Sequence, residues 1–263
     1  MPRIYPLFSS SKGNSYYIGS SKSGILIDCG VSYSRLRRAL DINGLSMEAV
    51  KAVFITHEHT DHISGLRVLA KNNDIPVCSR TETLRLLADR ECINSETRCF
   101  NVESQSVKID EILVNSFSIS HDAVSPCGYR VTFDSGESCA LCTDLGFVSD
   151  EVLAGLNGCS AVVLEANYDE EMLRLGSYPT ELKRRIRSDQ GHLSNRECGE
   201  LVARLVAGGT TEIILGHLSQ ENNTPETARK TIENILADKG YICNRDYMLT
   251  CAPVETTGGH CHF

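Results

Sequence analysis

Residues 56–62 of this 263-residue chain have the sequence THEHTDH, and this stretch decides how the rest is interpreted. It places three imidazoles and a carboxylate within six residues, more metal-ligand chemistry than an ordinary loop requires. The preceding residues 49–55 (AVKAVFI) are apolar and β-branched, which predicts a strand with the histidines in the loop at its C-terminal end. We therefore expect a metal-binding loop. A histidine-rich surface loop without metal is the alternative.

The spacing within this loop suits two ions. In irregular backbone, His57 and His59 can converge on one ion while Asp61 and His62 reach a second. Gly65 and the apolar residues after it predict a helix directly behind the loop. Two divalent ions about 3.5–4 Å apart lower the pKa of a shared water and polarise a phosphoryl or carbonyl oxygen. The motif therefore predicts hydrolysis as the reaction type.

The pattern H-x-H-x-D-H after a hydrophobic strand resembles the signature of the metallo-β-lactamase-like hydrolase superfamily. This resemblance implies further ligands downstream, and suitable residues occur in the expected order at the ends of predicted strands. His121 matches the third histidine of a first metal site, Asp144 the carboxylate that bridges both metals, and His217 the last histidine of a second site. Asp28 matches a carboxylate that supports the histidine loop without binding metal. Taken singly, each is also compatible with an ordinary turn or core position.

The resemblance thus implies a seven-residue ligand set for two divalent ions, which consists of His57, His59 and His121 for one ion, Asp61, His62 and His217 for the other, and Asp144 between them. Nitrogen-rich ligation with carboxylates suits zinc or manganese, and iron tolerates the same set. The implied fold is an αβ/βα four-layer sandwich of two mixed sheets flanked by helices. The residues alone predict a mixed α/β class, because short apolar strands alternate with amphipathic helices.

Length and composition suit one compact domain. With 41% hydrophobic residues and no linker or repeat, we expect a single domain over 1–253 and a C-terminal tail over 254–263. Residues 1–6 lack the long apolar core of a secretory signal, and no apolar run is long enough to cross a membrane. We therefore expect a cytoplasmic protein without membrane contact.

The twelve cysteines are scattered through predicted strands and helices. In a reducing compartment this distribution indicates that most of the cysteines are buried small hydrophobic residues rather than members of disulfides. Cys139 and Cys142 have the C-x-x-C spacing of redox or zinc motifs, but the spacing has no second pair, so we interpret the segment as the strand before Asp144.

Longer segments give a narrower resemblance. The stretches 9–15 (SSSKGNS), 165–173 (EANYDEEML), 176–179 (GSYP), 191–195 (GHLSN) and 216–223 (GHLSQENN) together resemble the YycJ (WalJ) family, over all but the last ten residues. Members of that family are regarded as metal-dependent DNA exonucleases that act from a 5′ end and are linked to mismatch repair. The resemblance therefore implies DNA as a partner, through duplex or nicked ends with a 5′-phosphate, and mismatch-repair proteins as further partners.

Several residues are candidates for contact with such a substrate. The loop around Gly13 offers hydroxyls, backbone N–H groups and a lysine to a phosphate, and Asn167 belongs to a segment of the family resemblance. The candidate substrate-binding residues are Ser11, Lys12, Gly13, Asn14 and Asn167. The loop is equally compatible with an ordinary hairpin turn.

Two residues are candidates for proton transfer. Asp61 could accept the proton of the attacking water, and His192 could bind a phosphate or protonate the leaving 3′ oxygen. His192 repeats the Gly-His-Leu-Ser context of His217 but lies outside the seven ligands; a supporting role at a helix entry is the alternative. The family more often has histidine where this chain has Tyr168, so no role attached to that histidine carries over.

The formal net charge of −8 neither excludes nor proves binding to DNA. Basic clusters at 35–38 and 183–187 are natural partners of phosphates, although such runs are also typical of solvated helix faces. A hydrolase of small thioesters or cyclic phosphodiesters from the same superfamily is the alternative function. A non-catalytic binding module is a further alternative, which the complete ligand set disfavours.

Overall fold

The computed structural model describes residues 2–263, and both strands and helices occur throughout this part of the chain. In chain order the strands are Arg3–Ser10 (β1), Gly13–Gly19 (β2), Gly24–Ile27 (β3), Val50–Phe54 (β4), Val77–Ser79 (β5), Cys99–Asn101 (β6), Val107–Ile109 (β7), Ile112–Ser118 (β8), Cys127–Phe133 (β9), Ser138–Cys142 (β10), Ala161–Glu165 (β11), Glu212–Gly216 (β12), Met248–Cys251 (β13) and Cys261–His262 (β14). The helices are Tyr33–Ile42 (α1), Thr60–Ile63 (α2), Leu66–Asn72 (α3), Thr81–Asp89 (α4), Asp150–Leu156 (α5), Glu170–Leu175 (α6), Thr180–Ile186 (α7), Asn195–Ala207 (α8) and Pro225–Asp238 (α9).

The described strands form two mixed sheets of seven strands. The first has the order β14-β1-β2-β3-β4-β5-β6 and the second the order β13-β12-β11-β10-β9-β8-β7. In the first sheet, β14, β1, β2 and β3 pair antiparallel, and β3 to β6 pair parallel. In the second, β7 to β10 pair antiparallel and β10 to β13 parallel. The carboxyl ends of the parallel strands carry the loops that matter for function.

Burial explains why the sheets are stacked. Strands β10 and β11 are buried along their whole length, as expected for parallel strands covered on both faces. Side chains such as Phe54, Tyr129 and Leu141 form a core between the sheets. Further cores lie outside each sheet, where α1 and α3 cover the first and α5, α8 and α9 the second. The predicted α/β four-layer sandwich is confirmed.

Local signals account for the longer helices. Ser194 and Glu197 form a capping box at the start of α8, with both reciprocal hydrogen bonds in place. Thr224 caps α9, and Pro225 occupies its first turn, where a missing N–H costs nothing. The strands β5, β6 and β7 and the short helices α5 and α6 have only three to seven residues each, which is too few for the sequence to show a clear periodicity.

The last residues return to the first sheet. In β14, His262 and Cys261 pair with Arg3 and Ile4 of β1. His260 and His262 contact each other, with their Nε2 atoms 2.8 Å apart. The division into a domain over 1–253 and a tail over 254–263 stays a prediction. Among residues 2–263, none of the helices has the length and apolarity needed to span a membrane.

The cysteines are free, and seven of the twelve are buried, which confirms the prediction that most of them are core residues. Cys139 packs in the core between the sheets, whereas Cys142 packs under the helices of the second sheet. The C-x-x-C spacing within a strand therefore places the two thiols on opposite faces, where they do not form a redox pair. Burial raises the pKa of Cys29 and of Cys127 to about 12, so neither is a thiolate near neutral pH.

We expect native alkylation to discriminate these two populations of cysteine. Iodoacetamide near neutral pH should modify the exposed Cys99 fastest, because the thiolate must be both formed and accessible. The seven buried cysteines should react only after unfolding. Peptide mass spectrometry of native and denatured samples gives the comparison, and rapid native labelling of Cys29 or Cys142 would contradict the structure.

Candidate metal centre

The candidate centre lies where the loops after β3, β4, β8, β10, β11 and β12 meet. Three of its side chains leave the backbone in the left-handed region, with φ of 62° at Asp28, 59° at Asp144 and 52° at His217. This conformation costs a non-glycine residue on the order of 1 kcal/mol. It turns the chain sharply at the strand end, and each of these side chains reaches the same cleft. Gly30 allows the loop after β3 to pack closely against the backbone of Asp61, because a Cβ at residue 30 would lie 1.6 Å from the Asp61 carbonyl oxygen.

The seven predicted ligands are brought together. The ligand atoms of His57, His59 and His121 all lie within 4.8 Å of one another, and those of Asp61, His62 and His217 do the same. Asp144 lies between the two groups, with its carboxylate oxygens 3.3 Å from His62 Nε2 and 3.8 Å from His121 Nε2. The arrangement thus contains two adjacent clusters with a shared carboxylate. Of the eight histidines in the chain, all but His260 and His262 lie here.

Protein oxygens fix the orientation of most of these imidazoles. His57 Nδ1 donates to Thr56 Oγ1 at 3.0 Å, and His62 Nδ1 donates to Asp28 at 2.8 Å. His121 Nδ1 donates to the Gly191 carbonyl at 3.2 Å. The Nδ1 atoms of His192 and His217 both donate to Glu165, at 2.8 and 2.7 Å. The Nε2 atoms are left for the cleft. His59 is the exception, because its Nε2 lies 3.2 Å from the Asp122 carbonyl.

Asp28 has the place expected for a supporting carboxylate. It accepts hydrogen bonds from the Thr56 backbone N–H at 2.8 Å, the Thr56 hydroxyl at 2.9 Å and His62 Nδ1. Burial raises the pKa of Asp28, and the charge on His62 opposes that rise. The carboxylate therefore ties the end of β3 to the start and the end of the histidine loop.

Glu165 has the same function in the second sheet, and the sequence did not reveal it. Its buried carboxylate accepts from His192 and His217 and also from the backbone N–H groups of Leu145 at 2.9 Å and Leu193 at 3.1 Å. Burial raises the pKa of Glu165, but the charges and hydrogen bonds of the two histidines outweigh it and hold that pKa at about 2. A glutamate that ends an otherwise apolar strand, as in AVVLE, was the available signal.

The electrostatics of the cleft favour a cation. Burial raises the pKa of Asp144, but the surrounding histidines, His217 and His62 first, hold it well below its usual range. Burial lowers the pKa of His62 and of His217, but the neighbouring carboxylates, led by Asp144, raise these values to about 10 and about 9. The carboxylates thus attract positive charge, which divalent ions can supply in place of protons.

Unpaired buried atoms are the direct test of whether metal fits. Within residues 2–263, His57 Nε2, Asp144 Oδ2 and His217 Nε2 are buried and lack a hydrogen-bond partner. Polar atoms are seldom left this way, since an unmade hydrogen bond is costly. All three face the cleft, and imidazole nitrogen with carboxylate oxygen is a normal donor set for first-row divalent metals. The residues present therefore fit divalent metal ions.

The candidate substrate residues have different positions. Asn14 is buried at the cleft, where its amide lies 3.2 Å from Asp61 Oδ2 and 3.1 Å from His62 Nε2. Ser11 and Lys12 are exposed in the turn between β1 and β2, and the buried Gly13 packs against residues 30–31. The Asn167 amide donates to the His217 carbonyl at 2.8 Å and so supports a strand end.

His192 lies inside the centre, and Tyr168 lies outside it. The His192 ring is 5.2 Å from the ring of His121 and 5.3 Å from that of His217, between centroids, and 16% of its side chain is exposed. Tyr168 is buried in a small apolar cluster with Leu173 and Ile186.

The fold and this centre define a class of protein. Residues 24–217 match the family model described as the beta-lactamase superfamily domain. The metallo-beta-lactamase fold protein YhfI from Bacillus subtilis superposes with a TM-score of 0.72 at 15% identity, covering 97% of this chain and 98% of that one, which shows the shared fold. The fold implies divalent metal ions, and the histidine and aspartate clusters agree with it.

Two curated relatives narrow the class to a family. The chain is 37% identical to the Exodeoxyribonuclease YycJ of Bacillus anthracis over 236 residues, 89% of each protein. It is 38% identical to the Exodeoxyribonuclease WalJ of Streptococcus pneumoniae serotype 2 over 235 residues, 88% of this chain and 87% of that protein. The chain belongs to this YycJ/WalJ family of the metallo-β-lactamase superfamily, as the sequence motifs predicted.

We expect Glu165→Gln to weaken metal binding roughly 10–100-fold, the usual effect of removing a group that orients metal-binding histidines. A neutral amide keeps the size of the side chain but cannot accept from His192, His217 and two backbone N–H groups as the carboxylate does. Competition of the metal-loaded protein with a chromogenic chelator measures the affinity. Glu200→Gln is the matched control, because Glu200 is exposed and forms a surface ion pair with Lys239. Equal metal affinity in both variants would disprove the orienting role.

Proposed function

We propose that this protein is a metal-dependent exodeoxyribonuclease that removes nucleotides from a 5′ end. The observation that carries the proposal is identity of 37–38% with two exodeoxyribonucleases over 88–89% of the chain, combined with a convergent histidine and aspartate centre. DNA is accordingly the proposed substrate, and an end with a 5′-phosphate the proposed starting point. A place in mismatch repair stays a prediction from the family resemblance.

We further propose that the centre holds two divalent ions, zinc or manganese, with iron compatible. His57, His59 and His121 would hold one ion, Asp61, His62 and His217 the other, and Asp144 would contact both. Two such ions supply a nucleophilic water at neutral pH and stabilise the charge that develops on a phosphoryl group. The short distances within each cluster and the unpaired Nε2 atoms support this assignment.

The chain itself supplies the positioning of acid and base. The Asp61 side chain is 25% exposed and that of Asp144 only 3%, so Asp61 is the carboxylate of the ligand set that a substrate can approach. The Asn14 amide holds one of the Asp61 oxygens at 3.2 Å. We assign Asp61 as the acceptor of the water's proton. His192 is held at Nδ1 by Glu165, which leaves Nε2 at the opening of the cleft. We assign this atom as the donor of a proton to the leaving 3′ oxygen.

The negative net charge is compatible with DNA if the positive field is local. We infer that Arg185, near the end of α7, contributes to such a field, because that helix leads directly into the loop that carries His192. A small-ester hydrolase would need the same centre without this positive charge, and it remains the competing outcome of the test.

The decisive test uses linear duplexes labelled at either end, with a 5′-phosphate or a 5′-hydroxyl, and metal-loaded protein. Cleavage should proceed from the 5′ end. Asp61→Ala should lower the cleavage rate at least roughly a hundredfold. Removing a residue that merely supports a metal ligand costs up to about that much, and Asp61 is itself a proposed ligand. Asp89→Ala is the matched control, since Asp89 is exposed on α4 and should be without effect.

Two results would contradict the proposal. The first is nuclease activity that persists in Asp61→Ala, which would point to a contaminating enzyme or another centre. The second is that the protein loaded with zinc or with manganese does not cleave DNA but hydrolyses nitrophenyl phosphodiesters or thioesters, which would favour the small-ester hydrolase.

A further inference from the structure

The basic side chains of α7 are not equivalent. Lys183 donates from Nζ to the carbonyl oxygens of Arg174 at 2.9 Å and Gly176 at 2.7 Å, so it closes the turn before the helix. Arg184 forms an ion pair with Glu181 at 2.9 Å, in which both side chains are more than two-thirds exposed. None of these contacts is with a residue of the metal centre.

Arg185 differs because its partner belongs to the centre. Its Nε donates to Asp122 Oδ2 at 2.6 Å, and one terminal nitrogen approaches the same oxygen. The other oxygen of Asp122 lies 3.3 Å from His121 Nε2, and it is buried without a hydrogen-bond partner among residues 2–263. The guanidinium of Arg185 is thus two short contacts away from a proposed metal ligand, at the rim of the cleft.

The backbone holds Arg185 in this place. The His192 N–H donates to the Ile186 carbonyl at 2.9 Å, and His121 Nδ1 donates to the Gly191 carbonyl at 3.2 Å. Gly191 approaches the end of α7 so closely that a Cβ would lie 2.4 Å from the Arg185 carbonyl oxygen. The end of α7 and the histidines of the centre therefore form one connected unit.

Much of the guanidinium is still available for a ligand. Arginine carries five N–H donors in a planar fork. Asp122 engages one edge of it, and within residues 2–263 the second terminal nitrogen of Arg185 has no acceptor. The side chain is 54% exposed. A fork that is fixed along one edge and open along the other is well suited to phosphate oxygens, which accept charge-assisted hydrogen bonds.

We propose that Arg185 binds a phosphate of the DNA strand beside the scissile bond, and that Asp122 is a positioning residue that holds its guanidinium at the cleft. This inference rests on the proposed nuclease function. Arg185 also neutralises Asp122, a carboxylate that would otherwise repel an incoming phosphate at the rim of the centre. Loss of the arginine therefore removes an attractive contact and exposes a repulsive charge.

The test compares Arg185→Gln with Arg184→Gln, which makes the same change of charge one residue away on the same helix. Cleavage is measured with metal-loaded protein, and binding is measured by fluorescence anisotropy on a duplex whose end linkages are phosphorothioates. Arg185→Gln should raise KM and the dissociation constant roughly tenfold to a hundredfold, as expected for a hydrogen bond to a charged group. The slope of log affinity against log salt should fall by about 0.9, the value for one duplex phosphate. Arg184→Gln should leave both nearly unchanged.

Substrates with a 5′-phosphate or a 5′-hydroxyl identify which phosphate is bound. If Arg185 holds the terminal phosphate, the glutamine variant loses the preference between these two ends. If it holds an internal phosphate, the defect is equal for both ends. Either pattern supports the assignment.

Metal content and thermal unfolding show whether the glutamine variant is intact. If it is not, Arg185→Lys provides the comparison: the charge and the salt slope should be retained, while binding weakens because a single ammonium replaces the fork. Arg185 variants that bind and cleave DNA like Arg184→Gln would overturn this inference and leave the nuclease function standing. A wild-type protein that neither binds nor cleaves DNA would overturn the nuclease function itself.

Discussion

Two buried carboxylates, Asp28 in the first sheet and Glu165 in the second, hold the centre in place. Each ends or directly follows a buried strand and accepts several hydrogen bonds, from a backbone N–H group of a neighbouring loop and from histidine Nδ1 atoms. A buried carboxylate remains charged only when such hydrogen bonds compensate its loss of hydration. Removing one of these donors therefore costs free energy, because part of the buried charge is left without a partner. The orientation of His62, His192 and His217 therefore follows from two anions that never have to contact a metal.

This arrangement depends on the topology of the sheets. Each sheet begins with antiparallel strands and continues with parallel ones, so several carboxyl ends meet at one edge. The faces of the sheets are committed to apolar cores, which leaves the strand ends as the place where polar side chains can gather. The αβ/βα layering thus determines where the site lies, and the loops determine what it contains.

The sequence was informative where chemistry and periodicity coincided. The run before His57 predicted β4 and the loop after it, and His121, Asp144 and His217 could be placed because each follows an apolar strand. Short edge strands such as β6 have no such pattern. Glu165 and the pairing of Asp122 with Arg185 were invisible for a different reason: both depend on contacts between segments distant in the chain, which spacing does not encode. Asn167, a candidate for contact with the substrate, donates its amide to the His217 carbonyl, and this contact between distant segments was likewise not encoded in the spacing.

The left-handed backbone at Asp28, Asp144 and His217 is a place where the residue that suits the backbone differs from the residue that the site requires. Glycine adopts this conformation freely, so the backbone energy alone would favour glycine at all three positions. The side chains persist there only while their chemistry is under selection. In a gene copy released from that selection, substitution by glycine would relieve the backbone strain at these turns and remove residues of the centre, so this fold can outlive its activity.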